Sequence, residues 1–184
     1  MPIHGGKAKR LTYEGAFISN ISTWKDDNII YSSSLNNPFG RVFDLHSIKS
    51  SGGKSTPLRY GMIKNISYNG DDIVLGKNTA DLGRWKRYKG GTAGKLLINV
   101  NGSNNFKYLL NLKGNIGSPM YINNRIYFIS DHEGIANIYS CLKSGNSIKK
   151  HTNHRSYFVR NATTDNKNIV YQCGGRIFTL NIEN

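Results

Sequence analysis

The densest run of chemistry-bearing side chains is GRWKRYKGGTAGK, residues 83–95, where Arg84, Lys86, Arg87, Lys89 and Lys95 surround Trp85, Tyr88 and a set of glycines. Cations interleaved with aromatics suit a single-stranded nucleic acid, pairing with its phosphates and stacking on its bases. Glycines ahead of a lysine suit a phosphate loop, which needs Lys-Ser/Thr at a helix start so that backbone amides and the helix dipole face the anion. Here Gly94-Lys95 is followed by the strand-like LLINV. No helix follows, and the phosphate-loop reading fails.

Other chemistry is weaker. Serines are plentiful, but no Gly-x-Ser-x-Gly elbow occurs, and nothing matches an activated serine beside a base and an orienting acid. The five histidines, His4, His46, His132, His151 and His154, fall near turns or strand ends. His151 and His154 are three apart and Asp131-His132-Glu133 offers oxygen and nitrogen ligands, but positions i and i+3 of a strand face opposite sides. A zinc site also brings three or four ligands at recognisable spacing. These residues read as polar turns, and no catalytic residue, metal ligand or cofactor is assigned.

Composition narrows the class. The chain has 184 residues, enough for one ordinary domain or a piece of a larger one, and carries a net charge of +14. Such a charge suits acidic partners, yet the cations are spread along the whole chain, so most read as a solvated surface and nucleic acid is not the favoured partner. The opening residues hold no apolar core of signal-peptide length, and no stretch is long enough to cross a bilayer, so a cytoplasmic protein with no membrane partner is expected. Cys141 and Cys173 are too few for a disulfide framework and read as buried free thiols.

The elements that must position these residues are short. NIIYSSS, DIVLGKN, RIYFISD and NIVYQCG are β-branched or aromatic runs bounded by Asn, Asp and Gly, and they read as strands, with little or no helix elsewhere. They also recur. Ile29–Tyr31, Ile73–Leu75, Ile126–Phe128 and Ile169–Tyr171 stand at intervals of 44, 53 and 43 residues, each preceded by a polar turn: KDDN at 25–28, NGDD at 69–72, NN at 123–124 and TDNKN at 164–168. In the third copy Asp131 to Gly134 turn the chain again and Ile138-Tyr139 resume the strand. A meander of three or four strands in this length is one blade of a β-propeller.

The fold class expected is therefore all-β: about four blades, with repeats over approximately 7–53, 54–104, 105–146 and 147–184. Residue 1 falls inside a repeat, which implies an incomplete ring. The interval of 53 shows that the second repeat carries extra residues, and they fall at the cationic stretch, making it an enlarged loop between inner and outer strands. Long loops are where such scaffolds place contacts. Arg84, Lys86 and Arg87 are the candidates to touch a neighbouring domain or subunit, or peptide carboxylates, with Trp85 packed against the blade; a loop pinned by its own aromatics without a ligand is the other reading.

VLGKNTADLGRWKRYKGGTAGKLLI, SPMYINNRIYFISDHEGIANIYSC and HTNHRSYFVRNATTDNKNIVYQCGG resemble the tricorn protease family, in the latter part of its N-terminal six-bladed propeller. The resemblance covers nearly the whole chain and is strongest over 74–175. Leu97 and Asn99 depart from it, standing where the family tends to have tryptophan and aspartate, and WKDDNI lacks the usual Pro-Asp-Gly turn. The resemblance implies a cytosolic oligomeric peptidase that trims peptides released by the proteasome, with propellers guarding a channel and a serine nucleophile in C-terminal domains. None of its catalytic residues falls on this chain. A free-standing propeller that binds a protein or nucleic acid through its basic surface is the alternative.

Overall fold

The computed structural model describes residues 4–103 and 105–182, and the repeat boundaries at 104 and 184 lie outside them. All described elements are strands, in two compact units, 1–64 and 65–184.

The first unit holds one antiparallel sheet, ordered β1 (Ile18–Lys25), β2 (Asn28–Ser33), β3 (Asp44–Lys49), β4 (Thr56–Pro57). Its core includes Ile30, Tyr31, Leu45 and Ile48. Tyr31 donates its hydroxyl to Glu14 Oε2 at 3.0 Å, and burial, aided by that carboxylate, pushes the phenol up to about 12. His46 corrects the sequence reading. It lies within β3, not at a strand end, is 2% exposed, stacks on Tyr31 and has no hydrogen-bond partner for either ring nitrogen among the described residues.

The second unit holds three sheets: β5 (Asn65–Asn69), β6 (Asp72–Lys77), β7 (Lys95–Asn99), β8 (Lys107–Tyr108); then β9 (Ile116–Ile122), β10 (Arg125–Ser130), β11 (Asn137–Leu142), β12 (Lys149–Lys150); then β13 (Arg160–Thr164), β14 (Asn168–Cys173), β15 (Arg176–Asn181). In every sheet the recurring apolar run is the second strand, entered through a tight turn that holds a residue in the left-handed region, Asp26, Gly70, Asn123 or Asn166, and Gly174 does the same in the turn from β14 to β15. Asn, Asp and Gly tolerate that conformation better than other residues, so these sequences fix the hairpins. The two-residue strands β4, β8 and β12 pair with the strand before them. Sheets therefore close a few residues beyond the repeat boundaries read from the sequence, because a pair of residues that short carries no periodicity.

The middle sheet is buried on both faces. Ile126 and Phe128 of β10 join Val74, Leu96, Ile98, Ile116 and Tyr139 in one cluster, whereas Tyr127 and Ile129 join Ile138, Val159, Ile169 and Tyr171 in another. That is why RIYFIS has no polar alternation. In β14 only Ile169, Tyr171 and Cys173 point inward, and Val170 and Gln172 are exposed. Tyr121 ties two sheets together, donating to Asp72 Oδ2 at 2.9 Å while its amide donates to Ser67 Oγ at 2.8 Å.

Candidate functional site

The chain between β6 and β7, residues 78–94, is the long connection the repeat spacing predicts, compared with 131–136 between β10 and β11 and 174–175 between β14 and β15. It runs as a strap from its own sheet over the next one and reaches the third. Thr79 starts it, donating to Asn65 Oδ1 at 2.6 Å. Leu82 then leaves its own sheet's cluster and buries itself, 2% exposed, in the core between the other two. Gly117 of β9 makes room, since a Cβ there would lie 2.7 Å from Leu82 Cδ1.

Three polar contacts fix the strap. Arg160 of β13 donates from Nε to both oxygens of Asp81, at 2.9 and 3.0 Å, and from Nη2 to Oδ2, closing a planar fork. Burial pushes the Asp81 carboxyl up, but Arg160, the Gly83 amide and nearby Arg84 outweigh it and hold the group below the usual range. Next, the Arg87 amide donates to Asp131 Oδ2 at 2.7 Å, and the Asn115 amide to Asp131 Oδ1 at 2.7 Å. Asp131 is 2% exposed, so its charge is spent on backbone donors. Finally the Gly94 amide donates to Asn115 Oδ1 at 2.6 Å; a Cβ on Gly94 would lie 2.0 Å from the Ile116 carbonyl oxygen.

The three candidate residues emerge from this base. Arg84, Lys86 and Arg87 are all exposed, with Arg87 in the left-handed region and Lys86 Nζ 5.5 Å from the centre of the Phe158 ring. Lys86 borders a groove of about 550 Å³ that is also lined by Phe158, Arg160, Gln172 and Ile177. Trp85 departs from expectation: it is 63% exposed and leans on Tyr88 at 5.1 Å instead of packing on the blade. Leu82, three residues earlier, is the strap side chain that enters the core.

The other clusters singled out in the sequence are engaged in internal bonds. His132 Nδ1 meets Ser130 Oγ at 3.0 Å, and burial holds its imidazole below the ordinary value. Glu133 Oε2 accepts from Lys150 at 2.7 Å and Tyr139 at 2.9 Å. His151 Nε2 meets Ser140 Oγ at 2.7 Å and His154 Nε2 meets Tyr171 Oη at 3.1 Å. Among the described residues no group of three or more His, Cys, Asp or Glu could hold a metal ion. Both cysteines are free and buried, burial pushing the Cys141 thiol up to about 11. No helix among the described residues is long and apolar enough to cross a membrane. Asp81, Asn115 and Arg160 were not assigned a role from sequence, and Asp131 was read only as a polar turn residue; the pairing of distant positions reveals what they hold.

Antiparallel meanders repeated in tandem define a β-propeller domain. Comparison with known proteins gives the family. The tricorn protease N-terminal beta propeller domain family matches residues 1–184, and the chain belongs to it. A tricorn protease homolog of Saccharolobus solfataricus is 38% identical over 98% of this chain and 17% of its own length. A putative tricorn-like protease N-terminal subunit of Sulfurisphaera tokodaii is 34% identical over 54% of this chain and 51% of its own. The crystal structure of the tricorn protease superposes with a TM-score of 0.83 at 32% identity, over 95% of this chain and 17% of that one. The chain thus spans about a sixth of the length of the full tricorn relatives.

Proposed function

We propose that this chain is the non-catalytic propeller portion of a tricorn-like serine peptidase of the cytoplasm, one that degrades oligopeptides downstream of the proteasome, and that it serves as channel gate and scaffold. The observation that carries this reading is the strap: three cations displayed from a base fixed by backbone bonds, on a domain of the tricorn propeller family. Arg84, Lys86 and Arg87 are the residues to contact a neighbouring domain or subunit, or the carboxylates of passing peptides. Residues 1–184 are then part of a ring in an oligomeric assembly. The exposed face of β14 and β15, with Val170, Gln172 and Ile177, is where a further blade would pack.

The test has two arms. The isolated chain is assayed on short chromogenic peptides, and no turnover is expected; turnover abolished by a serine-directed inhibitor overturns the non-catalytic role. The chain is then combined with the remaining domains of a tricorn-like peptidase. Replacing Arg84, Lys86 and Arg87 by Ala should weaken association or slow peptide degradation, and no change in either removes the strap from the function.

One observation favours a second reading. Trp85 stands exposed between Arg84 and Lys86, as a base-stacking platform requires. A free-standing module binding nucleic acid would show affinity falling steeply with salt.

A further inference from the structure

The chain leading from β12 to β13 and the turn between β14 and β15 together line a groove of about 540 Å³. Both walls are fixed from behind. Asn137, 1% exposed, accepts from Thr152 Oγ1 and from the His154 amide, each at 2.8 Å, and donates to the His154 carbonyl at 3.1 Å. Cys173 Sγ donates to the Tyr157 carbonyl at 3.3 Å and ties the same segment to β14. Arg155 and Ser156 stand between these two anchors, and both are exposed. On the other wall, the register that sets Arg176 opposite Cys173 and Phe178 opposite Tyr171 turns both toward the middle sheet, with Ile177 on the reverse face. At Gly174 a Cβ would lie 2.8 Å from Tyr157 Cδ2, so the phenol ring rests on bare backbone, and it is 64% exposed. Arg155 and Arg176 make no ion pair among the described residues, and no residue lining the groove is a carboxylate. Two guanidinium groups without a counter-charge favour an anion between them, and their planar forks match phosphate or carboxylate oxygens. Phosphate is the better match. Donors come from both walls, with the Ser156 hydroxyl beside them, and a phosphate monoester offers three oxygens in different directions and about two negative charges. The open face of Tyr157 adds a surface on which a planar base can stack.

We propose that this groove binds a nucleoside monophosphate. The phosphate sits between Arg155 and Arg176 and the base rests on Tyr157. None of the strap residues Arg84, Lys86 and Arg87 lines the groove, so the site is separate from the contacts assigned to the strap and does not depend on the peptidase reading.

The experiment is a titration of the full 184-residue chain, followed by backbone amide NMR. The probes are adenosine 5′-monophosphate, adenosine, inorganic phosphate, and an aspartate-rich peptide blocked at both ends. Saturable shifts at the amides of residues 155–157 and 174–176 are expected with the nucleotide, with adenosine and phosphate each roughly tenfold weaker, as expected for loss of the charge-assisted contacts or of the stacking one. An R155Q/R176Q variant, altered only at exposed positions, should lose roughly tenfold in affinity for the nucleotide. Y157L should bring the nucleotide down to the affinity of phosphate and leave phosphate itself unchanged, a split that general misfolding would not produce. The R84A/K86A/R87A variant should bind within about twofold of the parent, so that failure of the strap's role and failure of this groove are separately visible. Absence of saturable shifts, adenosine, phosphate or the acidic peptide binding as tightly as the nucleotide, full affinity in R155Q/R176Q, or loss of binding in the strap variant each overturns the proposal.

Discussion

Arg160 and Asp81, 79 positions apart, meet in a fork in which the guanidinium Nε shares its hydrogen between both carboxylate oxygens at 2.9 and 3.0 Å. One residue belongs to the strap that leaves β6, the other begins β13, and the sheet of β9 to β12 lies between them in the chain. The ion pair thus closes a loop of non-local structure, and with Leu82 buried one residue away it makes the strap part of the stack.

Replacing Arg160 by Ala should destabilise the second unit by about 1 kcal/mol, since the guanidinium is about half exposed and solvent screens the pair. The pH dependence has a definite sign. Asp81 is held below its ordinary value of 3.8 in the folded chain, so its contribution is complete above that value and is lost as the pH falls through the folded one. Thermal melts of the parent and of Arg160→Ala should differ at pH 7 and converge in strong acid. A gap that widens with acidification would contradict the assignment.

Asp131→Ala should cost about 2 to 3 kcal/mol, because it leaves the Arg87 and Asn115 amides without their acceptor in a buried place. Hydrogen exchange reads this locally. Protection should fall at the Arg87 and Asn115 amides before it falls in β10, and unchanged exchange at both would mean that the carboxylate does not hold the strap.

Gly94→Ala and Gly91→Ala form a matched pair. The first places a methyl 2.0 Å from the Ile116 carbonyl oxygen and should cost about 1 to 3 kcal/mol, whereas the second meets nothing. Denaturant midpoints should therefore separate the two, with Gly91→Ala within about 0.5 kcal/mol of the parent. Equal midpoints would show that the strap can shift away from β9 without cost.

Trp85→Phe should leave stability within about 0.5 kcal/mol, as expected of a side chain that is 63% exposed. Trp24, the only other tryptophan, is also exposed, so the intrinsic emission should be that of solvated indole and readily quenched by iodide. A blue-shifted, protected emission would place one of the indoles in a core.

Much of the fold is legible locally. Tight turns at 26, 70, 123 and 174 are specified by Asp, Gly and Asn, the residues that tolerate a left-handed backbone. The length of the second repeat marks the strap, because an insertion between two strands must loop out. Trp85 and His46 were misjudged for a common reason. Which large side chain is buried depends on what arrives from other elements: Leu82, not the indole, enters the core between the next two sheets, and Tyr31 stacks on an imidazole whose ring nitrogens have no hydrogen-bond partner among the described residues.

By itself, the sequence determined the recurring second strands, their turns, the repeat and the family, since each is encoded in neighbouring residues or in a spacing that can be counted along the chain, whereas the two-residue strands β4, β8 and β12 leave no such pattern. The tertiary structure alone decided that Asp81 finds Arg160, that Asp131 accepts from the Arg87 amide, and that Leu82 enters the core between the next two sheets. Hydrogen bonds and ion pairs act over a few ångströms of space. Positions far apart in the chain come within that range only after the sheets have stacked.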